Sequence, residues 1–474
     1  MTETMASFGR HPNWAVPGVL RITARRLVLA LVLALGLWAS LLGSNAYAWG
    51  SHALAAYRVF ENMPEVAQAA PVKVEPLEVF LKAQEKPIAA LLAQQEAWMQ
   101  VNLPNYPARP ATLAFKANPL DSDAERRKNF LMALRVAPDS RFALYYEADA
   151  KADIGTAALL PYAAVNTLPP PAVQQVRYVA LQPGDTVAVL KVLASASFEP
   201  DFGLDINLFE DNPSAWGKLY GFGKLPFGNP ALNFSSQGPF HIGFYHEDKI
   251  LYLAAGFLKR TFPLVRVNQY AALASLAHQT GHSYWAWRFT GLALHYVQDN
   301  SQPYHAKVSP GSSTLGLLWT NALALAGFPK SKDETIVLLS NRHLALEAYQ
   351  SQLLAQAANG AGDQAVVLSL SNPQSDGNYP AWGPFYLRDV VAKESYAYGD
   401  KLAQVLVANL PHRFVNDPSF DFGANPEGVD LRAELAQIAP HKRNQLDATV
   451  AELLVRFGAH SRNTVRGILK AGAK

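Results

Sequence analysis

Apolar residues recur at helical spacing along most of the chain. Within His52–Met99, Leu54, Tyr57, Val59 and Phe60 form one group and Leu77, Phe80 and Leu81 another, with Pro64 and Pro71 between them. Pro104, Pro107 and Pro110 end that pattern, and a further helix is predicted around Arg126–Leu134. The run Leu168–Pro171 reads as a stiff polyproline connector. Alternation in Val176–Ala194 is weak, so a strand and a helix after the Pro183-Gly184 turn fit equally well. Pro213–Pro239, rich in glycine, proline and asparagine, reads as a long irregular loop.

Helical stripes then dominate. They cover Lys249–Phe262, Val267–Gln279, Tyr284–Gln298, Leu315–Ala326 and Glu334–Ala357, then Val390–Ala408, Leu431–Ile438 and Asp447–Leu469. Gly281 stands where a C-terminal glycine cap belongs. The expected fold class is all-α, one multi-helix domain over 49–474 with loop insertions at about 100–240 and 307–335.

Residues 1–48 read as a leader. Arg21, Arg25 and Arg26 precede an uncharged run from Leu27 to Gly43, and Ala46-Tyr47-Ala48 offers a small-x-small cleavage site before Trp49. Export to a periplasmic or extracellular compartment follows as the expectation, with an uncleaved anchor as the alternative. Removing the leader's four arginines and single glutamate from 41 basic and 38 acidic residues leaves 37 of each. A neutral chain has no electrostatic footprint for duplex DNA. The absence of cysteine excludes disulfides, a thiolate nucleophile and iron–sulfur clusters, and restricts any metal to nitrogen and oxygen donors.

The segment from Leu294 to His305 carries the clearest chemistry. His295 and Asp299 lie four apart and share one face of a helix. Pro303 disfavours helix at Gln302, so the chain can turn there and present His305 from outside it. His343 and Glu347 repeat the spacing on another predicted helix. Twelve histidines and 38 acids in 474 residues give about one such pair by chance, so two pairs alone mean little. Requiring a histidine six residues after the acid lowers the expectation to roughly 0.02. A mixed histidine and carboxylate cluster is the donor set zinc takes without cysteine.

His295-x-x-x-Asp299-x-x-x-x-x-His305 with His343-x-x-x-Glu347 resembles the zinc-dependent phospholipase C and fungal single-strand nuclease superfamily, whose members are all-α and hold three zinc ions. The mature N-terminal tryptophan of that family binds zinc through its own backbone, and the leader reading independently places Trp49 first in Trp49-Gly50-Ser51-His52. The resemblance implies that Trp49 and His52 hold one zinc, that Asp299 bridges it to a second shared with His295, and that His305, His343 and Glu347 hold the third. It also implies an upstream aspartate, Asp201 with Asp205 in reserve, and a histidine, His241 or else His246. Asp201 would in addition orient or deprotonate the attacking water. The chain departs from the family in three ways. Trp49 and His52 stand closer together, the segment from Asp201 to His241 is longer, and Leu315–Phe328 is inserted.

The resemblance implies hydrolysis of a phosphodiester by a zinc-activated water. Glu347 in place of aspartate, and the neutral charge, favour phospholipase C acting on phospholipid with transient contact to a membrane surface. The short Trp-Gly-x-His start favours the alternative, a nuclease acting on single-stranded nucleic acid. A catalytically silent, zinc-retaining binding protein is the alternative of another class, and a monomer is expected throughout. Tyr284, Trp285, Trp287 and Phe289 can stack bases or fill the core. Leu315–Phe328 lacks a lysine-rich polar face and is expected in the core, a lipid-contacting lid being the alternative. His278 and His282 read as surface or capping residues, and His412, His441 and His460 as structural or solvent-facing.

Overall fold

Every side chain from Tyr284 to Asn300 is buried, as expected of a helix with apolar residues on all sides. That helix lies at the centre of the computed structural model, which describes residues 51–149, 153–170, 176–228, 230, 233–358, 364–422, 429–438 and 440–473. Trp49, the leader and the uncharged run Leu27–Gly43 lie outside the described residues.

The elements used below are, in chain order, α1 (His52–Phe60), α2 (Leu77–Ala83), α3 (Glu85–Asn102), α4 (Asp123–Leu134), α5 (Val189–Ala196), α6 (Lys249–Ala254), α7 (Pro263–Gln279), α8 (Ser283–Asn300), α9 (Thr314–Leu325), α10 (Lys330–Ala358), α11 (Lys393–Asn409), α12 (Leu431–Ile438) and α13 (Pro440–Gly472). The strands are β1 (Val72–Lys73), β2 (Tyr145–Asp149), β3 (Leu159–Leu160), β4 (Val176–Ala180) and β5 (Thr186–Val187). Helices hold 61% of the residues and strands 4%, so the fold is all-α.

Central α8 packs against α7, α5 and α13. Gly281 makes the α7–α8 turn with φ +81°, a left-handed conformation that favours glycine just past a helix end. α7 begins at Pro263, four residues before its predicted start, because proline at the first helical position gives up only an amide that is unpaired anyway. α4 is closed by a reciprocal capping box between Ser122 and Glu125. One large apolar cluster runs from Ala55 to Ile468 and includes Tyr284, Trp285, Trp287 and Phe289. Those four aromatics are core residues.

Three sequence expectations change. Val176–Ala194 contains β4, β5 and α5 in turn: β4 forms antiparallel pairs with β2 (Tyr145↔Ala180) and with β3 (Leu159↔Val179), partners too remote for a local pattern to reveal. The stripe Lys249–Phe262 is not one helix. α6 stops at Ala254, Gly256–Lys259 forms a 3-10 turn, and Arg260 donates to the carbonyls of Phe222 and Lys224. Val390–Ala408 starts as a π-helical turn at Leu387–Ala392 before becoming α11. Among the described residues no helix is long and apolar enough to cross a membrane.

A buried carboxyl on β2 sets a pH dependence. Glu147 is fully enclosed, its Oε2 has no hydrogen-bond partner, and burial pushes its pKa up to about 8. The folded state therefore binds this proton more tightly than the unfolded chain. The stability it contributes is present below about pH 4.5 and is lost as pH rises through about 8. Glu147→Gln should remove that loss, so the melting-temperature difference between variant and parent should grow in the variant's favour from pH 5 to pH 9. A difference that stays constant over this range would sink the assignment.

Candidate metal centre

α8 carries His295 and Asp299 on one face of its last two turns. Past Asn300 the Gln302 side chain accepts from the Tyr304 amide, and a 3-10 turn over Pro303–His305 brings His305 back toward the helix end. This is the break that Pro303 predicts. His343 and Glu347 lie one turn apart on α10, His52 opens α1, Asp201 sits in the 3-10 turn Glu199–Phe202 after α5, and His241 ends the short helix Gly238–His241.

Two close contacts seat the Asp201 turn on α8. A Cβ at Gly291 would lie 2.5 Å from the Ala196 Cβ and 2.7 Å from the Leu193 carbonyl oxygen, so glycine permits this approach of α5. Buried Arg288 then grips Glu199 through two bonds of 2.5 and 3.0 Å.

The sequence separates these residues by as much as 295 positions, yet three donor groups form: His52, Asp201 and His295; His241, His295 and Asp299; His305, His343 and Glu347. None of the eight residues is more than 8% exposed. In the centre, His241 Nδ1, His295 Nε2, Asp299 Oδ2 and Asp201 Oδ1 face one another. His241 Nδ1 lies 2.8 Å from Asp299 Oδ2 and 3.0 Å from His295 Nε2, His295 Nε2 lies 3.2 Å from Asp299 Oδ2, and Asp201 Oδ1 lies 3.7 Å from each histidine nitrogen. Four donors placed tetrahedrally at zinc bond lengths would be about 3.3 Å apart. The second oxygen of Asp299, Oδ1, is 3.2 Å from His52 Nε2, so this carboxylate faces two groups at once. In the third group, Glu347 Oε1 lies 2.7 Å from His343 Nε2 and 3.8 Å from His305 Nε2, and Tyr304 stacks flat on the His343 ring.

A second layer fixes which nitrogen each histidine presents. His295 Nδ1 donates to the Ser197 carbonyl and His305 Nδ1 to the His241 carbonyl, which leaves Nε2 of each ring as a lone pair. His52 Nδ1 is held 2.8 Å from Gln298 Oε1, and Gln302 Nε2 donates to Glu347. His241 is reversed. Its Nδ1 faces the donors while Nε2 points 3.6 Å from Asp205, an electrostatic contact beyond hydrogen-bond length. Gln298 and Gln302 thus brace two of the candidate donors, a part that sequence spacing left unassigned. Their signal was a pair of amides four apart, flanking Asp299 in a buried segment.

Electrostatics show what the cluster lacks. Burial would lower the His241 pKa, but Asp205 and Asp299 outweigh it and hold the ring at about 10. Burial likewise opposes ionisation of Asp299, but His295 and His241 prevail and hold it well below the usual carboxylate range. Protonated imidazole thus occupies the electrostatic role of a cation. On the other side burial lowers His343 to about 3, and burial with the Asp299 and Asp201 charges outweighs His305 to raise Glu347 to about 7, leaving a neutral nitrogen lone pair beside a carboxyl ready to lose its proton. Asp201 Oδ2 is buried with no hydrogen-bond partner, and His52 Nε2 with Asp299 Oδ1, His241 Nε2 with Asp205 and His343 Nε2 with Glu347 are buried ion-pair contacts without well-formed hydrogen bonds. A buried polar atom left unsatisfied costs about 1–3 kcal/mol. Nitrogen and oxygen donors so arranged can hold metal ions.

The remaining sequence candidates fall elsewhere. Asp205 bonds Arg266 and Tyr296, and Arg266 overcomes burial to hold its carboxyl below the usual range. His246 bonds the Arg388 carbonyl and joins none of the three groups. Trp49 lies outside the described residues, although nearby Ser51 touches Ser351 of α10 through their hydroxyls at 3.1 Å. His282 precedes α8 and pairs with Glu75, His278 is exposed, and His460 is buried between Tyr386 and Glu394. No protein-family model, curated protein or solved structure matches the chain.

Two substitutions test this arrangement. Gln298→Ala should weaken metal binding about 10–100-fold while leaving every donor in place, as read by competition with a chromogenic chelator. Unchanged affinity would show that His52 needs no such support. Gly291→Ala should push α5 from α8, lowering the melting temperature and the bound metal together. Loss of stability with full metal content would separate the helix contact from the site.

Proposed function

We propose that the chain is an exported zinc-dependent phosphodiesterase of the phospholipase C and single-strand nuclease type, acting on phospholipid. The observation that carries this reading is the union of three histidine–carboxylate donor groups in one buried cluster, with the two oxygens of Asp299 facing different groups. Three such groups match the three zinc ions implied by the resemblance. When bound, zinc lowers the pKa of water toward neutrality and offsets charge on phosphoryl oxygens.

The chain's own residues have distinct tasks in this reading. Asp201 Oδ1 faces the central donors while its Oδ2 is unpartnered, so Oδ2 can orient the attacking water and accept its proton. Burial raises the Asp201 carboxyl above the ordinary aspartate range and makes it a better proton acceptor. His305, His343, Glu347 and His241 keep 4–8% exposure whereas His52, His295 and Asp299 have none, so the phosphate approaches from the third group.

Lipid is favoured over nucleic acid on two grounds. The α8 aromatics that could have stacked bases are in the core, and the chain beyond Ala48 carries no net charge to attract a polyanion.

Zinc-loaded protein should hydrolyse phosphatidylcholine faster than single-stranded DNA when the two are assayed in parallel. His295→Ala should lose zinc and lower activity on the order of 10³-fold. Full activity in that variant would refute the assignment. Faster cleavage of DNA would select the nuclease, and zinc retention without turnover of either substrate would select the silent binding protein.

A further inference from the structure

The insertion between His305 and His343 does not fold into the core. No residue from Thr314 to Phe328 is charged, and of α9 itself only Leu317 and Asn321 are buried. Leu315 and Trp319, one turn apart, are 73% and 66% exposed, and Phe328 just past the helix is 67% exposed. Beside α9, α6 turns Leu251 inward and leaves Leu253 78% and Ile250 55% exposed. With Leu325, six of the twelve large apolar side chains exposed among the described residues belong to these two neighbouring segments. Leaving each in water forgoes about 1.5–3 kcal/mol relative to burial, and so concentrated a group marks a contact surface.

This face is anchored to the metal centre. Val308, three residues past His305, packs into the apolar clusters beneath both α6 and α9 and donates its amide to Glu247. Thr314 at the start of α9 hydrogen-bonds Asp248 at the start of α6. From α9 the chain enters α10, which carries His343 and Glu347.

We propose that the outer face of α6 and α9 docks on the surface of a zwitterionic phospholipid layer, an inference that takes its choice of lipid from the phospholipase reading above. The face itself supports that choice. It offers few polar groups to a partner: Asn321 is buried and donates to Leu317, and Thr314 is bonded to Asp248. A protein partner would ordinarily find about one hydrogen bond per 100–200 Å². A lipid layer asks for apolar side chains with tryptophan near the headgroups. The rim is mixed in sign, with exposed Lys249 and Lys330 against exposed Asp248 and Asp333, so it complements zwitterionic headgroups and gives anionic ones no advantage.

The test is flotation of the zinc-loaded protein with phosphatidylcholine vesicles, alongside Leu315→Gln/Trp319→Gln, whose exposed positions and helix-compatible replacements should leave melting unchanged. Parent protein should bind, with or without chelator, and the double variant should bind at least tenfold more weakly. Hydrolysis of vesicle lipid should fall in parallel, while hydrolysis of a water-soluble short-chain phospholipid below its micellar concentration should not. Parent protein that fails to bind, equal binding by the variant, a requirement for anionic lipid, or a parent dimer that the variant dissolves would each overturn docking. Vesicle binding without hydrolysis of any phosphodiester would sustain docking and defeat the enzymatic reading, whereas soluble hydrolysis without vesicle binding would do the reverse.

Discussion

The Asp299 carboxylate is the group on which the arrangement depends. It is wholly buried at the end of the most buried helix, with Oδ2 set against His241 and His295 and Oδ1 against His52. A lone ionised carboxylate in such a place would be untenable, and three imidazoles make it tenable. Its position requires α8 in the centre, α1 packed through α5 onto α8, and the Gly238–His241 turn closing from the opposite side. The scaffold therefore serves the charge as much as the charge serves the scaffold.

That dependence has an energetic consequence. The cluster contains buried donors and acceptors that it does not fully satisfy internally, which is the reverse of what a stabilising polar core needs. The surrounding layer, by contrast, is closely paired. Arg288 bonds Glu199, Arg266 bonds Asp205, and the carbonyls of Ser197 and His241 fix ring orientations. A satisfied shell around an unsatisfied centre is the pattern of a preorganised binding site.

Legibility in the sequence followed distance along the chain. Pairs on one helix, His295 with Asp299 and His343 with Glu347, were legible because a 3.6-residue period fixes their relation, and the turn to His305 was legible from Pro303. Helices α7, α8, α10 and α13 were legible for the same reason, with ends shifted where Pro263 and Pro440 begin helices. The preference for His241 over His246, and for Asp201 over Asp205, came from the resemblance and was not legible in the spacing, since it depends on how a long irregular segment folds over α8. Neither were β2 and β4, which pair across more than 25 residues, nor the second-layer glutamines, whose roles exist only once α1 and α10 are in place.

Leu315–Phe328 is where sequence reasoning met its sharpest reversal, and the reason is instructive. An uncharged apolar helix is usually core, and the absence of a basic face argued against a surface role. But the core beside it is built without it: Leu317 and Ile336 close a small cluster of their own, and the larger core draws on residues from α7, α8, α10 and α13. Leu315, Trp319, Leu325 and Phe328 are left facing outward. The missing basic residues then cease to be an objection, because attraction to anionic headgroups is only one of the two forces that hold a protein at a lipid surface. Apolar area supplies the other, and α6 and α9 offer it together, α9 on the segment that joins His305 to His343.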